Sequence, residues 1–149
     1  MTQVATVRVS LDVTVGPEEA FRVFTEEIGA WYKVDEHSVA DPDTVALRFE
    51  PGVGGRLLEV HDPGSGDGRE VGRVRVWEPG RRLVYRDGRD LETDVTFEGH
   101  GRGTRVTVEQ RGLGRLPPDD AEHAARYGVT LILRWSAEHM RVTGNRQGP

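Results

Sequence analysis

The chain has 149 residues, of which 36% are hydrophobic and 30% charged, and its formal net charge at pH 7 is −5. This length suits one domain that buries about 70% of its unfolded surface, and no apolar run approaches the roughly 20 residues that span a bilayer. The acidic balance argues against nucleic acid as a partner, and the absence of cysteine excludes disulfides and thiol catalysis. The first residues lack the pattern of a signal peptide, so we expect a cytoplasmic protein with no membrane partner.

The first 32 residues predict a strand followed by an amphipathic helix. Apolar residues alternate with polar ones from Val7 to Val13, which is the period-two pattern of a strand with one covered face. In the segment that follows, GPEEAFRVFTEEIGAWY, a proline suits the first helical turn and apolar residues recur along one side. Gly29 is predicted to end this helix.

The remainder predicts six strands and a long final helix. Residues 45–110 consist of short alternating runs separated by turns rich in glycine, proline and aspartate, as in an antiparallel meander. Residues 116–142 then change to helical spacing, with two prolines at the start. We expect one domain over residues 1–143, followed by a disordered tail over residues 144–149.

This β-α-β6-α order predicts an α+β helix-grip fold. The apolar face of a seven-stranded curved antiparallel sheet has to be covered, and the long C-terminal helix is the element large enough to cover it. Where a curved sheet wraps around a helix, a space is left between the two layers. One face of every strand would line that space, which predicts an internal pocket.

Strand alternation predicts which side chains face the pocket. The predicted lining consists of Val9, Leu11, Leu47, Phe49, Val74, Val76, Tyr85, Val95, Phe97, Val106 and Val108 from the strands, with Tyr127, Leu131 and Trp135 from the final helix. The intervening positions include Arg8, Arg48, Arg75 and Arg105. These four arginines should face solvent, because four unpaired charges would be very costly to bury.

Trp31 and Tyr32 stand side by side where the first helix is predicted to end. Each aromatic side chain can bury about 150–250 Å². One interpretation is that both residues pack in the core. The other is that they form a gate that contacts ligand at the mouth of the pocket, with one ring packed and the other facing the opening.

The polar candidates each carry two interpretations. Tyr85 shares a strand face with Leu83, so its hydroxyl either projects into the pocket as a donor or acceptor, or bonds at the sheet rim. His123 lies one helical turn before Tyr127, a spacing that permits an acid–base pair but is also common on exposed helix faces. Tyr85 and His123 are thus the catalytic candidates.

Other polar residues are predicted to have no catalytic role. Glu59 and His61 share one face of the third strand, whereas Leu58 and Val60 share the other. The purely apolar pair is expected to face inward, which places Glu59 and His61 in solvent. The five histidines lack ligand-like spacing and no phosphate-loop motif is present, so neither a metal nor a cofactor is expected.

Several segments resemble a known superfamily. They are GAWYK after the first helix, GGR at residues 54–56, WEPGRRLVYR, DVTFEGHGRGTRVTVEQ and a final helix centred on Gly128. Together they resemble the START/Bet v 1-like (SRPBCC) superfamily, and within it the branch of activator-of-heat-shock-ATPase homologues. The chain departs from that branch at Tyr32, where a second tryptophan is common, and at Val129, where tryptophan often follows the glycine. The second departure takes a large aromatic off the final helix.

The resemblance implies a hydrophobic small molecule as ligand. Within the superfamily it points to a polyketide-like natural product, with this chain as a carrier, a sequestering self-resistance protein or a biosynthetic accessory protein. It leaves two alternatives open, a cofactor-independent polyketide cyclase or dehydratase and a module that stimulates a chaperone ATPase. We expect a monomer or a weak homodimer.

Overall fold

The computed structural model describes residues 6–32, 46–62, 64–65, 67–88, 90–123 and 129–147, without the side chains of residues 67 and 142–147. The strands are β1 (Thr6–Val13), β2 (Ala46–Phe49), β3 (Arg56–Asp62), β4 (Asp67–Glu78), β5 (Arg82–Asp87), β6 (Glu92–His100) and β7 (Gly103–Arg111). The helices are α1 (Pro17–Glu26), α2 (Ile28–Trp31), a 3-10 turn (Leu113–Arg115), α3 (Pro118–His123) and α4 (Val129–Gln147).

All seven strands form one antiparallel sheet in the order β1-β7-β6-β5-β4-β3-β2. The sheet curves into a half-barrel, and α4 packs against β1 and β7 and also meets α1 and α2. The predicted helix-grip fold is confirmed. Within the described part of the chain, no helix is long and apolar enough to cross a membrane.

The first helical segment extends beyond its predicted end. Helix α1 begins at Pro17 and stops at Glu26, and after a one-residue break α2 continues for one turn to Trp31. Gly29 therefore lies inside α2 and does not end the helix, contrary to the prediction. A Cβ atom at this position would lie 3.2 Å from the carbonyl oxygen of Leu47, so the glycine lets α2 approach β2 closely.

The C-terminal region also differs from its predicted outline. Pro118 opens a short α3 as expected, but the long helix α4 continues to Gln147. Residues 144–147 are therefore helical, where the sequence predicted the start of a tail. The predicted lining residue Tyr127 lies outside the described residues.

The predicted sidedness of the sheet is largely confirmed. Arg8, Arg48, Arg75 and Arg105 are all exposed, while inward positions such as Val95, Val106 and Val108 are completely buried. Leu11 is an exception, because it has the inward parity but is 42% exposed. It lies on the edge strand β1 in an open groove beside α4, so the prediction that it lines the pocket is wrong.

A β-bulge just before Val76 reverses the alternation of β4. Beyond the bulge, Val76 pairs with Val84 on the outer face, and Trp77 pairs with the inward Leu83. Trp77 packs edge-on against Phe21 with ring centroids 5.2 Å apart. The prediction that Val76 lines the pocket is therefore wrong, because simple alternation takes no account of the extra residue.

Strand β3 has the opposite sidedness from that predicted. Leu57 pairs with Phe49 and Glu59 pairs with Leu47, so both β3 residues face inward. Glu59 is only 2% exposed, and its predicted position in solvent is wrong. Both faces of β3 carry apolar residues, so pairing with β2 rather than apolar content decides which face is inner. His61 falls at an irregularity of β3 and is half-buried rather than fully solvent-exposed.

Candidate ligand-binding site

A cavity of about 390 Å³ lies between the concave face of the sheet and the helices α2 and α4. This volume is within the range of about 300–1,000 Å³ that is typical of small-molecule sites. Its described lining consists of Ile28, Trp31, Tyr32, Leu47, Leu57, Glu59, Arg69, Glu70, Val71, Tyr85, Asp87, Gly88, Thr93, Gln110 and Ile132. The lining thus combines eight aliphatic or aromatic side chains with six polar or charged ones.

Trp31 forms part of the wall and is fixed from behind. Its side chain is 3% exposed, and its indole Nε1 donates to the carbonyl oxygens of Val23 and Phe24, both at 3.2 Å. The ring also packs at 5.0 Å from the ring of Phe24. These contacts place the indole against the last turns of α1. Trp31 therefore belongs both to the hydrophobic core and to the cavity lining.

Tyr32 lies at the end of α2 in a more open position. The residue is half-buried, and its ring centroid is 6.1 Å from that of Trp31 and 5.5 Å from that of Trp135 on α4. Trp31 and Tyr32 form an aromatic side of the cavity, and Trp135 packs on Tyr32 from α4 outside the lining. Both residues of the predicted gate line the cavity, and their contact with a ligand stays a prediction.

The sheet supplies a polar wall on the concave face of three neighbouring strands. Tyr85 on β5 pairs with Thr93 on β6, which in turn pairs with Gln110 on β7. Gln110 Nε2 donates to Thr93 Oγ1 at 3.1 Å, and Thr93 lies directly opposite Tyr85 on the neighbouring strand. We refer to Tyr85, Thr93 and Gln110 as the polar wall.

Tyr85 is an un-ionised phenol at neutral pH. Burial raises the pKa of Tyr85 above its usual value of 10.0, and the hydrogen bond with Thr93 offsets only part of this effect. The ring is held edge-on against Phe49, with centroids 5.2 Å apart. Of the two sequence-based interpretations, the hydroxyl in the pocket is the one that the structure supports.

A carboxylate enters the cavity from β3. Both carboxylate oxygens of Glu59 lie 3.2 Å from Nη2 of Arg69, on the neighbouring strand β4. The Glu59 side chain is 3% exposed, whereas that of Arg69 is 59% exposed. The arginine therefore approaches from the mouth of the cavity and neutralises a buried charge that would otherwise be costly.

The structure brings together part of the predicted lining set. Four predicted residues line the cavity, namely Trp31, Tyr32, Leu47 and Tyr85. Others belong to the core behind it, namely Phe49, Val74, Phe97 and Trp135. Leu131 is partly buried against that core, and its neighbour Ile132 takes the position on the cavity. His123 is a half-buried residue of α3 and does not line the described cavity.

Sequence reasoning missed most of the polar lining. Thr93 and Gln110 continue the inward parity of Val95 and Val108 by two residues, so extending the apolar pattern past its last apolar residue would have found them. To place Glu59 in the lining, one would have had to know how β3 pairs with β2. Among the described residues, no group of three or more histidine, aspartate or glutamate side chains is arranged to hold a metal ion.

A curved antiparallel sheet that wraps a C-terminal helix over an internal cavity defines the Bet v 1-like class of helix-grip domains. The family model for the Activator of Hsp90 ATPase homolog 1-like protein matches residues 14–136. The chain therefore belongs to this family, as the sequence resemblance predicts. No curated protein sequence matches the chain.

Solved structures share the fold at low sequence identity. DynU16, a protein of the dynemicin biosynthetic locus, matches with a TM-score of 0.66 and 20% identity over 93% of this chain, which spans only 48% of DynU16. The anthrahydroquino-γ-pyrone synthase Txn09 matches with a TM-score of 0.58 and 28% identity, over 91% of this chain and 98% of Txn09. The Aha1 dimer from Colwellia psychrerythraea matches with a TM-score of 0.64 and 13% identity, over 92% and 96%.

Proposed function

We propose that the chain binds a hydrophobic aromatic small molecule of the polyketide type in its cavity, as a carrier, a sequestering protein or a biosynthetic accessory protein. The observation that carries this proposal is the composition of the 390 Å³ cavity, where eight aromatic and aliphatic side chains surround a space that six polar or charged side chains also reach. Sites of this kind gain affinity from apolar contact and orientation from the polar groups.

The comparisons support the ligand class. DynU16 belongs to a natural-product biosynthetic locus, and Txn09 is a synthase of a fused aromatic pyrone. A planar fused-ring molecule would suit the space between the aromatic side of the cavity, at Trp31 and Tyr32, and the sheet. Such a ligand can stack on these rings while its edge meets the polar wall.

The test is calorimetric titration with a neutral tricyclic aromatic ketone, 2-(hydroxymethyl)anthraquinone. Replacing Ile132 with tryptophan places a bulky ring on the helix side of the cavity and should weaken binding at least tenfold, since the added indole occupies ligand space. Val53→Trp is the matched control, because Val53 is 72% exposed and does not line the cavity. If the folded wild-type protein binds neither this ketone nor its hydrocarbon analogue, the proposal fails.

Catalysis is a second candidate, favoured by two groups that line the same cavity. The Glu59 carboxylate can accept a proton from carbon next to a ketone, while the un-ionised Tyr85 hydroxyl can donate a hydrogen bond to the ketone oxygen. This pairing would suit a cofactor-independent cyclase or dehydratase. Its catalytic candidates are Glu59 and Tyr85, since His123 does not line the described cavity.

The two candidates differ in the fate of the ligand. If the chain is an enzyme, a linear poly-β-ketone incubated with it should be converted, and Glu59→Gln should slow that conversion about 100-fold. Mass spectrometry of the recovered small molecule provides the readout. Unchanged substrate after incubation with the wild-type protein would leave carriage or sequestration as the function.

A further inference from the structure

The polar wall has hydrogen-bonding capacity that it does not use internally. Gln110 Nε2 donates to Thr93 Oγ1, and the single hydroxyl proton of Thr93 is then available to the oxygen of Tyr85, its cross-strand partner. When the side chains donate in the order Gln110, Thr93, Tyr85, the hydroxyl proton of Tyr85 is left to point into the cavity. Hydrogen bonds that follow one another in this way also strengthen each other.

The other end of the polar wall offers an acceptor. Gln110 is 6% exposed, and its Oε1 atom is buried with no hydrogen-bond partner among the described residues. A buried acceptor without a partner destabilises the folded protein, so such atoms are uncommon. Because Gln110 lines the cavity, a bound molecule is in a position to supply the missing donor.

Charge at the site restricts the ligand further. The described lining contains three carboxylates, on Glu59, Glu70 and Asp87, and the guanidinium of Arg69. Arg73, outside the lining, pairs with Glu70 at 2.7 Å, so these groups together carry an excess of one negative charge. A carboxylate or phosphate group on the ligand would meet net negative charge at short range. The surroundings therefore favour a ligand without an anionic group.

We propose that the polar wall selects neutral aromatic ligands that carry an acceptor and a separate donor on one edge, as in a hydroxylated aromatic ketone. The ligand carbonyl accepts from the Tyr85 hydroxyl, and the ligand hydroxyl donates to Gln110 Oε1. Thr93 is a positioning residue that orients both groups. This inference rests on the proposed function, because it names the part of the ligand that the same cavity recognises.

Three probes with one tricyclic framework test the proposal by calorimetry. These are 2-(hydroxymethyl)anthraquinone, with acceptor and donor, 2-methylanthraquinone, with acceptor only, and 2-methylanthracene, with neither. Gln110→Met should weaken binding of the first probe about tenfold, which is the scale of one hydrogen bond. The affinity for the other two probes should stay unchanged. Tyr85→Phe should weaken both quinones about tenfold and leave the hydrocarbon unchanged.

Thr107→Val is the matched control. Thr107 lies on the same strand as Gln110 but on its other face, where its hydroxyl bonds to Ser10 at 2.8 Å. This variant should bind all three probes as the wild type does. Thermal melting of each variant establishes that the protein measured is folded.

The wild-type protein provides a test that needs no substitution. A purely apolar cavity would bind the hydrocarbon most tightly, whereas the polar wall predicts the opposite order, with 2-(hydroxymethyl)anthraquinone tightest. The hydrocarbon binding most tightly, or the two folded variants binding all probes as the wild type does, would overturn the inference and leave the proposed function standing. Binding of none of the probes would overturn both.

Discussion

Trp31 and Tyr32 are neighbours in sequence with different surroundings. The Trp31 indole is buried and donates to two carbonyl oxygens of α1, whereas Tyr32 is half-buried and touches other residues through its ring. A buried indole that satisfies its own donor stabilises the fold, and a half-open ring is available to a ligand. The two residues should therefore respond differently to truncation.

Trp31→Ala should lower the free energy of unfolding by about 3–5 kcal/mol, the usual cost of emptying a buried aromatic site. Tyr32→Ala should cost less stability but weaken binding of 2-(hydroxymethyl)anthraquinone by about 1–3 kcal/mol, the scale of an aromatic contact at a hot spot. Urea unfolding and calorimetry measure the two quantities. Tyr32→Phe keeps the ring and serves as the control. Unchanged affinity in Tyr32→Ala would show that the ring only packs.

Residue positions were predictable from sequence as far as alternation holds. The four outward arginines and the inward Leu47, Phe49 and Tyr85 follow the period-two rule. Val76 does not follow this rule, because a bulge displaces it. Glu59 keeps the alternation of β3, but the pairing with β2 decides which side it faces. Bulges and pairing depend on contacts between distant parts of the chain, which a local pattern does not contain.

At the scale of elements, an ion network ties three strands together on the outer face of the sheet. Asp94 on β6 accepts from Arg82 on β5 at 2.7 Å and from Arg111 on β7 at 3.1 Å, and Arg111 also pairs with Glu92 at 2.8 Å. Burial alone would raise the pKa of Asp94, but the two arginines hold that pKa below its usual 3.8. The network therefore favours the ionised carboxylate in the folded protein.

Asp94→Asn should destabilise the protein by about 1–3 kcal/mol at pH 7, because it leaves two arginines without their shared carboxylate. The folded-state pKa of Asp94 is lowered, so its contribution is complete above pH 3.8 and is lost as the pH falls below that value. The stability difference between variant and wild type should thus narrow on acidification. Chemical unfolding between pH 7 and pH 3 measures it.

Asp90→Asn is the control for this prediction. Asp90 is exposed, and its carboxylate lies 3.9 Å from a guanidinium nitrogen of Arg86. Exposed pairs of this kind contribute at most about 1 kcal/mol. A gap between Asp94→Asn and wild type that stays constant down to pH 3 would contradict the assigned role of the carboxylate.

The sequence predicted the strands better than the helix ends. Seven strands follow from turn residues placed between alternating runs, and those signals are local. The one-turn helix α2 depends on tertiary contact, because Gly29 is held against β2. The extension of α4 to Gln147 has no clear signal, since the final residues TGNRQGP are poor in apolar positions.

At the scale of the molecule, α4 is fixed to the first helical segment as well as to the sheet. His139 on α4 lies 2.8 Å from the Glu27 carboxylate in the break between α1 and α2, and Arg22 reaches the same carboxylate at 2.8 Å. Two helices on one side of the sheet are thereby joined near the cavity. These helices cover the concave face, and the large hydrophobic side chains that the described residues leave exposed are Leu11 and Val53.

We expect the protein to be mainly monomeric at about 10 μM. Within the described part of the chain, the exposed large hydrophobic residues are Leu11 and Val53, which do not form the extensive apolar patch of a stable interface. The same observation gives no support to a docking surface for a chaperone. Sedimentation velocity at several concentrations is the measurement. A stable dimer at this concentration would show that other surface properties govern assembly.

The position of Trp31 has a practical consequence for experiments on the native protein. Among the described lining residues it is the one tryptophan, while Trp77 and Trp135 lie outside the lining. An aromatic ligand in the cavity would sit within quenching range of the Trp31 indole. Emission from this residue therefore gives the protein an intrinsic optical reporter of occupancy, and Trp31→Phe would identify how much of the signal comes from the cavity.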